Sequence, residues 1–386
     1  MALNAIVTAA GKRGYEQRVI VAAPHDDPSP KVADLPDKSI HPLVFPAIDM
    51  PFALPGMSDV MPYESSVFSQ LRADQLKKYQ HTWTQHVAAV IAEFQPELIH
   101  CHHVWLLSSL LKDVAATIPV VVHCHATGLR QMVLCPHLAE AVSRGCSRSE
   151  AFVVLHRGHA VELAEKLGVS MDRISIVGSG YDASVFYPAD EVVRSSPLIA
   201  YAGKLSHAKG LPQLLDVMDR LQKTHPQVLL QIAGTGSGDE ATAIRDRVGT
   251  MSNVEWLGQV DQPRLAQLFR QATVFVLASF YEGLPLVLVE AAACGCQLVA
   301  SELPGIVEQL KPVLGDRLNL VPLPEMESID RPLASGLPDF VNRLETSIVA
   351  AMVHSGDDCD IAAGLRDMSW AGVFQRIEAV WSRVLN

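Results

Sequence analysis

Short runs of β-branched and other apolar residues alternate along this chain with longer stretches whose apolar positions recur every three or four residues. Such alternation predicts βαβ units and parallel sheets. A parallel strand is covered on both faces and carries a nearly unbroken apolar run, whereas a covering helix buries one stripe. Two series are visible. The first has runs at Arg18–Ala23, Leu98–Cys101, Val120–His123, Ala151–Leu155 and Ile174–Val177, with helical patterns such as Leu106–Ala115 and Gly158–Leu167 between them. The second has runs at Leu198–Ala202, Val228–Ala233, Val254–Leu257, Val274–Ala278, Gln297–Ala300 and Asn319–Val321. Between the series, Tyr181–Pro197 loses all period and reads as a linker. Ser29–Met61, rich in Pro and Asp, reads as a long irregular loop.

The pattern therefore predicts an α/β protein of two Rossmann-like lobes, residues 1–185 and 198–369, followed by a last helix at 370–386; a length of 386 residues suits two cores. The front end departs from that plan. A Rossmann-like lobe opens on a strand and a glycine-rich turn, but this chain opens on a helical pattern, Leu3–Arg13, stopped by Gly14. Two expectations stand side by side: the lobe begins on a helix, or Met1 lies inside the first helix of a longer protein.

Charge and cysteine content narrow the classes. A formal net charge of −11 excludes nucleic acid as a natural partner, because backbone phosphates are bound by clustered Lys and Arg. Peripheral membrane contact through a local basic patch and assembly as a homodimer stay open. The most apolar stretch, Leu284–Ala300, is broken by Pro285 and Glu290 and is shorter than the roughly 20 residues of a bilayer helix. The N-terminus lacks the basic start and cleavage signature of a signal peptide, so a cytoplasmic location is expected. Seven cysteines, with no C-x-x-C pair, argue for buried thiols rather than a disulfide framework or a zinc ribbon.

The candidate chemistry concentrates in the second series. Glu282-Gly283-Leu284-Pro285-Leu286-Val287-Leu288-Val289-Glu290 follows the run at Val274. A strand, a Gly-bearing turn and a helix start aim backbone N–H groups and the positive end of a helix dipole at one point, which suits a diphosphate. Glu290 falls on an otherwise apolar helix with no cation three or four positions away, so its partners must come from outside that helix; sugar or ribose hydroxyls would serve. Gly203–Gly210 follows the run at Leu198 and carries Lys204 and Lys209, two cations able to reach one departing diphosphate. A third turn, Gly234-Thr235-Gly236-Ser237-Gly238, follows the run at Val228. In the first series, Leu98–Trp105 and Val120–Gly128 place histidines at strand ends. Alternation sets His100 with His102 and His123 with His125 on shared faces.

These residues carry a resemblance to family 4 of the retaining glycosyltransferases. It rests on the E-x7-E spacing of Glu282 and Glu290, the lysine-bearing turn, Ala293-Cys294-Gly295-Cys296 and Ser301–Glu308. It is specific over Leu198–Glu308 and looser in the first half. The resemblance implies a GT-B fold with parallel sheets facing a central cleft, a donor lobe at the C-terminal end, an acceptor lobe at the N-terminal end, and a closing helix at Trp370–Leu385. It implies that Glu282 lies by the donor sugar, that Glu290 holds ribose hydroxyls, and that Lys204 and Lys209 grip the diphosphate. His125 is then the histidine that touches the reacting sugar. Gly203, Gly234, Gly236, Gly283, Leu284, Leu286 and Glu290 are the donor-binding candidates. The donor is a nucleotide sugar, UDP- or GDP-linked, the acceptor a hydroxyl of a saccharide, lipid-linked glycan or small molecule, and no metal or other cofactor is implied despite the nearby histidines. Lys204 stands where many members have Arg, and Pro285 where many have Gly. The chain departs from the family at its front, where the resemblance implies an opening strand and a Gly-Gly loop and the sequence has the helical pattern Leu3–Arg13. A GT-B nucleotide-sugar epimerase and a nucleotide-sugar-binding protein without transfer activity are the alternatives.

Overall fold

The computed structural model describes residues 2–46, 50–57, 65–125, 127–188, 197–282, 284–328, 330–353 and 361–386. The chain forms two compact units, 1–179 with 370–386, and 180–369.

In the first unit the strands are β1 (Val19–Pro24), β2 (Ile40–Phe45), the two-residue β3 (Pro55–Gly56) and β4 (Ser66–Val67), β5 (Ile99–His102), β6 (Val120–Cys124), β7 (Ala151–Val154) and β8 (Ile174–Ile176). All pairings are parallel, but the strands do not make one sheet: β1 pairs with β2, β3 with β4, and β5-β6-β7-β8 form a separate sheet of four. Among the described residues, β1 and β5 each have one strand neighbour. The break falls where the strand order reverses, β1 leading to β2 on one side and β5 to β8 on the other.

Helices hold the two pieces together from both faces. On one face the helix Ala2–Lys12 sets Ile6 and Ala10 against Val121, Ala151 and Val153, while its Val7 packs on Val19, Val32 and Ile40. On the other, the helix Ala73–Phe94 sets Tyr79, Trp83 and Val87 into a core shared by Phe45 of β2 and Cys101 of β5. The helix Trp370–Leu385 has an apolar stripe at Val373, Phe374, Ile377, Val380 and Trp381, spaced three and four apart, and all five are buried with Ile6, Ala10 and Val121. Its polar face meets the segment that follows the first helix, where Tyr15 donates to Glu378.

The second unit is one continuous parallel sheet of six strands. They are β9 (Leu198–Ala202), β10 (Leu229–Ala233), β11 (Val254–Gly258), β12 (Val274–Leu277), β13 (Gln297–Ser301) and β14 (Leu318–Val321), in the order β11-β10-β9-β12-β13-β14. β12 is buried throughout, as is β13, which accounts for their unbroken apolar sequence. Strand order reverses between β9 and β12. In an open parallel sheet the loops at the carboxyl ends of two such strands part to opposite faces and leave a crevice, where ligands bind.

Three sequence expectations shift. The first unit ends at residue 179 rather than 185, because Tyr181 and Phe186 are buried in the second unit's core with Phe269 and Leu288. The expected linker is thus anchored at its aromatic end, and residues 189–196 lie outside the described residues. The helix expected after the Gly-bearing turn runs only Leu286–Ala293, with Pro285 at its N-cap. The six described cysteines are buried and none is in a disulfide; Cys359 lies outside the described residues. No helix among the described residues is long and apolar enough to cross a membrane.

Candidate active site

The loops after β9, β10 and β12 are laced to one another by backbone contacts that only glycine permits. Gly203 N–H donates to Ala233 O at 3.0 Å and Gly234 N–H to Gly258 O at 2.7 Å, prolonging the sheet's pairing past its strands. Gly234 has φ +135°, and a Cβ there would lie 1.9 Å from Gly203 O. Leu205 N–H donates to Thr235 O, and a Cβ on Gly236 would press on Leu205 O. The buried Tyr201 hydroxyl donates to Lys204 O at 2.8 Å and holds the start of the loop.

This loop ends in a 3-10 turn, His207–Lys209, closed by Gly210 at φ +63°. A Cβ on Gly210 would lie 1.9 Å from Ala278 O, and Phe280 N–H donates to Ala208 O at 2.9 Å. The loops after β9 and β12 are thereby pressed together at the switch point. As a result Lys209 Nζ lies 2.7 Å from Glu282 Oε1, although 73 residues separate them. The same oxygen accepts from Ser279 Oγ at 2.7 Å. With side chains 25% and 15% exposed, the pair is sheltered yet open to a ligand. An ammonium held in this way could exchange its carboxylate for an anion, and the Ser279 hydroxyl holds the carboxylate independently of Lys209.

Glu290 lies on the second turn of the helix Leu286–Ala293 and is 8% exposed. Burial pushes its carboxyl up from 4.5 to about 7. Removing an ionised carboxylate from water without a paired cation disfavours the charged form. Glu290 thus keeps its proton to higher pH than an exposed carboxyl does, and hydroxyl donors would stabilise its charged form.

The structure joins Lys209 with Glu282 and leaves Lys204 apart. Lys204 is exposed, and no ion pair links it to Glu282 or Glu290. Leu284 and Leu286 are half-buried beside the loop, and Gly283 lies outside the described residues. Ser279 and Tyr201 escaped the sequence reading. A buried serine directly after a strand, three positions before a candidate carboxylate, was the available signal for the first; nothing local marked the second.

In the first unit His125 follows β6 and precedes the helix Thr127–Leu134. Its Nε2 lies 2.9 Å from His102 Nδ1, one nitrogen donating to the other. The His125 ring stacks on His123 with centroids 4.0 Å apart. Burial, reinforced by neighbouring rings, lowers His125 to about 3 and His102 to about 4, so both are neutral at physiological pH. Thr127 Oγ1 bonds His103 Nδ1 at 2.9 Å, and Trp381 Nε1 donates to His100 Nδ1 at 2.9 Å. The alternation expected for His100/His102 and His123/His125 is present, their ring centroids being 5.2 and 4.0 Å apart.

Two parallel α/β units, the second with laced glycine turns at its switch point, define the GT-B class. Its structural neighbours agree. Anabaena HepE in complex with UDP and glucose superposes with a TM-score of 0.60 at 16% identity over 99% of this chain and 95% of that one. Sucrose-phosphate synthase from Thermosynechococcus elongatus gives 0.57 at 17% identity over 96% and 99%. At such identities the likeness speaks for fold alone.

The chain belongs to the group 1, family 4-like glycosyltransferases: the glycosyl transferase 4-like domain matches residues 2–180 and the glycosyl transferases group 1 domain residues 189–321. Glycogen synthase of Mycobacterium tuberculosis is 29% identical over 229 residues, 56% of this chain and 54% of that protein. D-inositol 3-phosphate glycosyltransferase of Segniliparus rotundus is 24% identical over 343 residues, covering 80% and 71%. The chain thus spans about half the length of the glycogen synthase it matches.

Proposed function

We propose that this protein transfers a sugar from a nucleotide-sugar donor, UDP- or GDP-linked, to a hydroxyl acceptor with retention at the anomeric carbon and without a metal. The observation that carries the reading is the Lys209–Glu282 pair at the switch point of the second unit, 2.7 Å apart and backed by Ser279. A leaving diphosphate gathers negative charge as the glycosidic bond breaks, and a preorganised ammonium stabilises that charge more in the transition state than in the ground state. In this reading Lys209 performs this task. Glu282, released from Lys209 but still held by Ser279, accepts from a hydroxyl of the donor sugar. Glu290 accepts from the ribose hydroxyls and is ionised by that contact. The departing diphosphate takes the proton of the attacking hydroxyl on the same face, so configuration is kept. The family supports the class of reaction, and the UDP and glucose bound by HepE support the class of donor. His125 is assigned the contact with the reacting sugar as a neutral hydrogen-bonding group. Lys204 serves as a second, longer-range cation.

The test is a thermal-shift panel of UDP-, GDP- and ADP-sugars followed by transfer in the presence of EDTA, with the product's anomeric configuration read by NMR. One nucleotide sugar raising the melting point, and a retained product, are expected. Isomerisation of the donor without any acceptor, or an inverted product, would overturn the reading.

A further inference from the structure

We propose that His100, His102 and His123 of the first unit form a binding site for a borderline divalent transition cation of the Zn2+ type. Their ligating nitrogens all lie within 4.8 Å of one another. The three ring centroids form a nearly equilateral triangle with sides of 5.2, 5.4 and 5.5 Å. His100 and His102 come from β5 and His123 from the adjacent β6, in parallel register with His102 opposite His123. The ligands therefore stand on rigid, paired strands rather than on a loop.

A second observation points to a ligand. His123 is 1% exposed, and neither of its ring nitrogens has a hydrogen-bond partner. His100 Nε2 is likewise buried and unpartnered. Buried polar atoms are almost always satisfied, so these rings call for a partner, and a cation held by one nitrogen of each of the three would supply it to His100 and His123. An all-imidazole set suits Zn2+, Ni2+, Cu2+ or Co2+ and does not suit Mg2+ or Ca2+, which take oxygen ligands. Three ligands also leave a fourth position for water, as in catalytic zinc sites. His102, bonded at 2.9 Å to His125, carries the second-sphere contact that orients a ligand ring.

One contact stands in the way and makes the inference testable. Trp381 Nε1 donates to His100 Nδ1, so the His100 ring proton sits on Nε2. A cation can take His100 through Nδ1, displacing the indole, or through Nε2, which sends the ring proton to Nδ1 and sets it against the indole N–H. Either route ends the Trp381 bond. Trp381 therefore competes with the cation for His100. The inference concerns cation binding alone and does not depend on the transferase reading.

The experiment uses the full chain freed of metal by chelator, titrated with ZnCl2 by calorimetry and with CoCl2 by visible absorption, each variant checked for folding by circular dichroism. Wild type is expected to bind one Zn2+ and to give the intense d–d absorption of a four-coordinate Co2+ site. His123→Ala and, should that variant not fold, His102→Ala are expected to weaken Zn2+ at least about tenfold. Trp381→Phe is expected to tighten it severalfold, an effect that a purely structural role for the indole would not produce. Equal Zn2+ affinity in wild type and the histidine variants, a weak octahedral Co2+ spectrum, or unchanged or weaker binding in Trp381→Phe would overturn the proposal.

Discussion

The two units share a parallel α/β plan but differ in how their sheets are closed at the point where strand order reverses. In the second unit β9 and β12 pair directly, Val274 opposite Ile199 and Phe275 opposite Ala200, and the sheet of six is continuous. In the first unit the corresponding place lies between β1 and β5, and no hydrogen-bonded strand pair spans it among the described residues. The consequence is visible in the side chains nearby. At the closed switch point charges are paired and hydrogen-bonded, Lys209 to Glu282 and Ser279 to Glu282. Beside the open one, β5 and β6 carry stacked, neutral histidines with orphaned nitrogens. Loops laced together by their backbones hold the ion pair in place, whereas the histidines of β5 and β6 are held by ring contacts and by single bonds, His100 to Trp381 and His102 to His125.

Ways to break this comparison run from large to small. Lys209→Ala should lower kcat about 10²- to 10³-fold, as the loss of a single preorganised charge does, while His102→Ala should leave more activity; steady-state kinetics on both would collapse the contrast if the order were reversed. Glu290 offers a pH signature. Its folded value of about 7 stands above its ordinary 4.5, so the folded state binds more protons between those values; the stability it contributes is full below about 4.5 and is lost as pH rises through about 7. That amounts to about 3 kcal/mol at most, and Glu290→Gln should remove this part of the pH dependence in denaturant titrations at pH 5 and 8. Donor affinity, by contrast, should rise from pH 6 to 8 in the wild type only.

Gly234→Ala should cost about 2 kcal/mol or more, since both its φ of +135° and the 1.9 Å approach of Gly203 O reject a Cβ. Hydrogen exchange should be at least about tenfold faster at Val19–Pro24 than at Val274–Leu277, because among the described residues β1 has one strand partner and β12 has two; equal protection would show the helices to be as good a brace as a continuous sheet. Gly249→Ala, in a helix with nothing within 4 Å of its Cβ position, should stabilise by about 0.5 kcal/mol.

Much of the fold was legible because parallel strands announce themselves. The runs at Leu198, Val274 and Gln297 became β9, β12 and β13 within a residue or two, as unbroken apolar stretches must when both faces are covered. The split between β1 and β5 was only half legible. Each apolar run was visible, but sheet continuity depends on pairing, which no local pattern encodes. The linker was misplaced for the same reason: Tyr181 and Phe186 look like punctuation until Phe269 and Leu288 are seen beside them.

For the site, sequence alone determined which chemical groups are present: two carboxylates eight residues apart on a turn and an apolar helix, glycines wherever two backbones approach too closely for a Cβ, and histidines alternating on adjacent strands. Local spacing is sufficient for that, since each motif is shorter than one strand-turn-helix unit. Only the tertiary structure decided that Glu282 pairs with Lys209 and not with Lys204, that Ser279 anchors the carboxylate, and that Trp381, 281 residues from His100, bonds its ring. Those choices rest on the order in which strands pair and on which loops that order presses together, and the free energy of such contacts is spread over residues far apart in the chain.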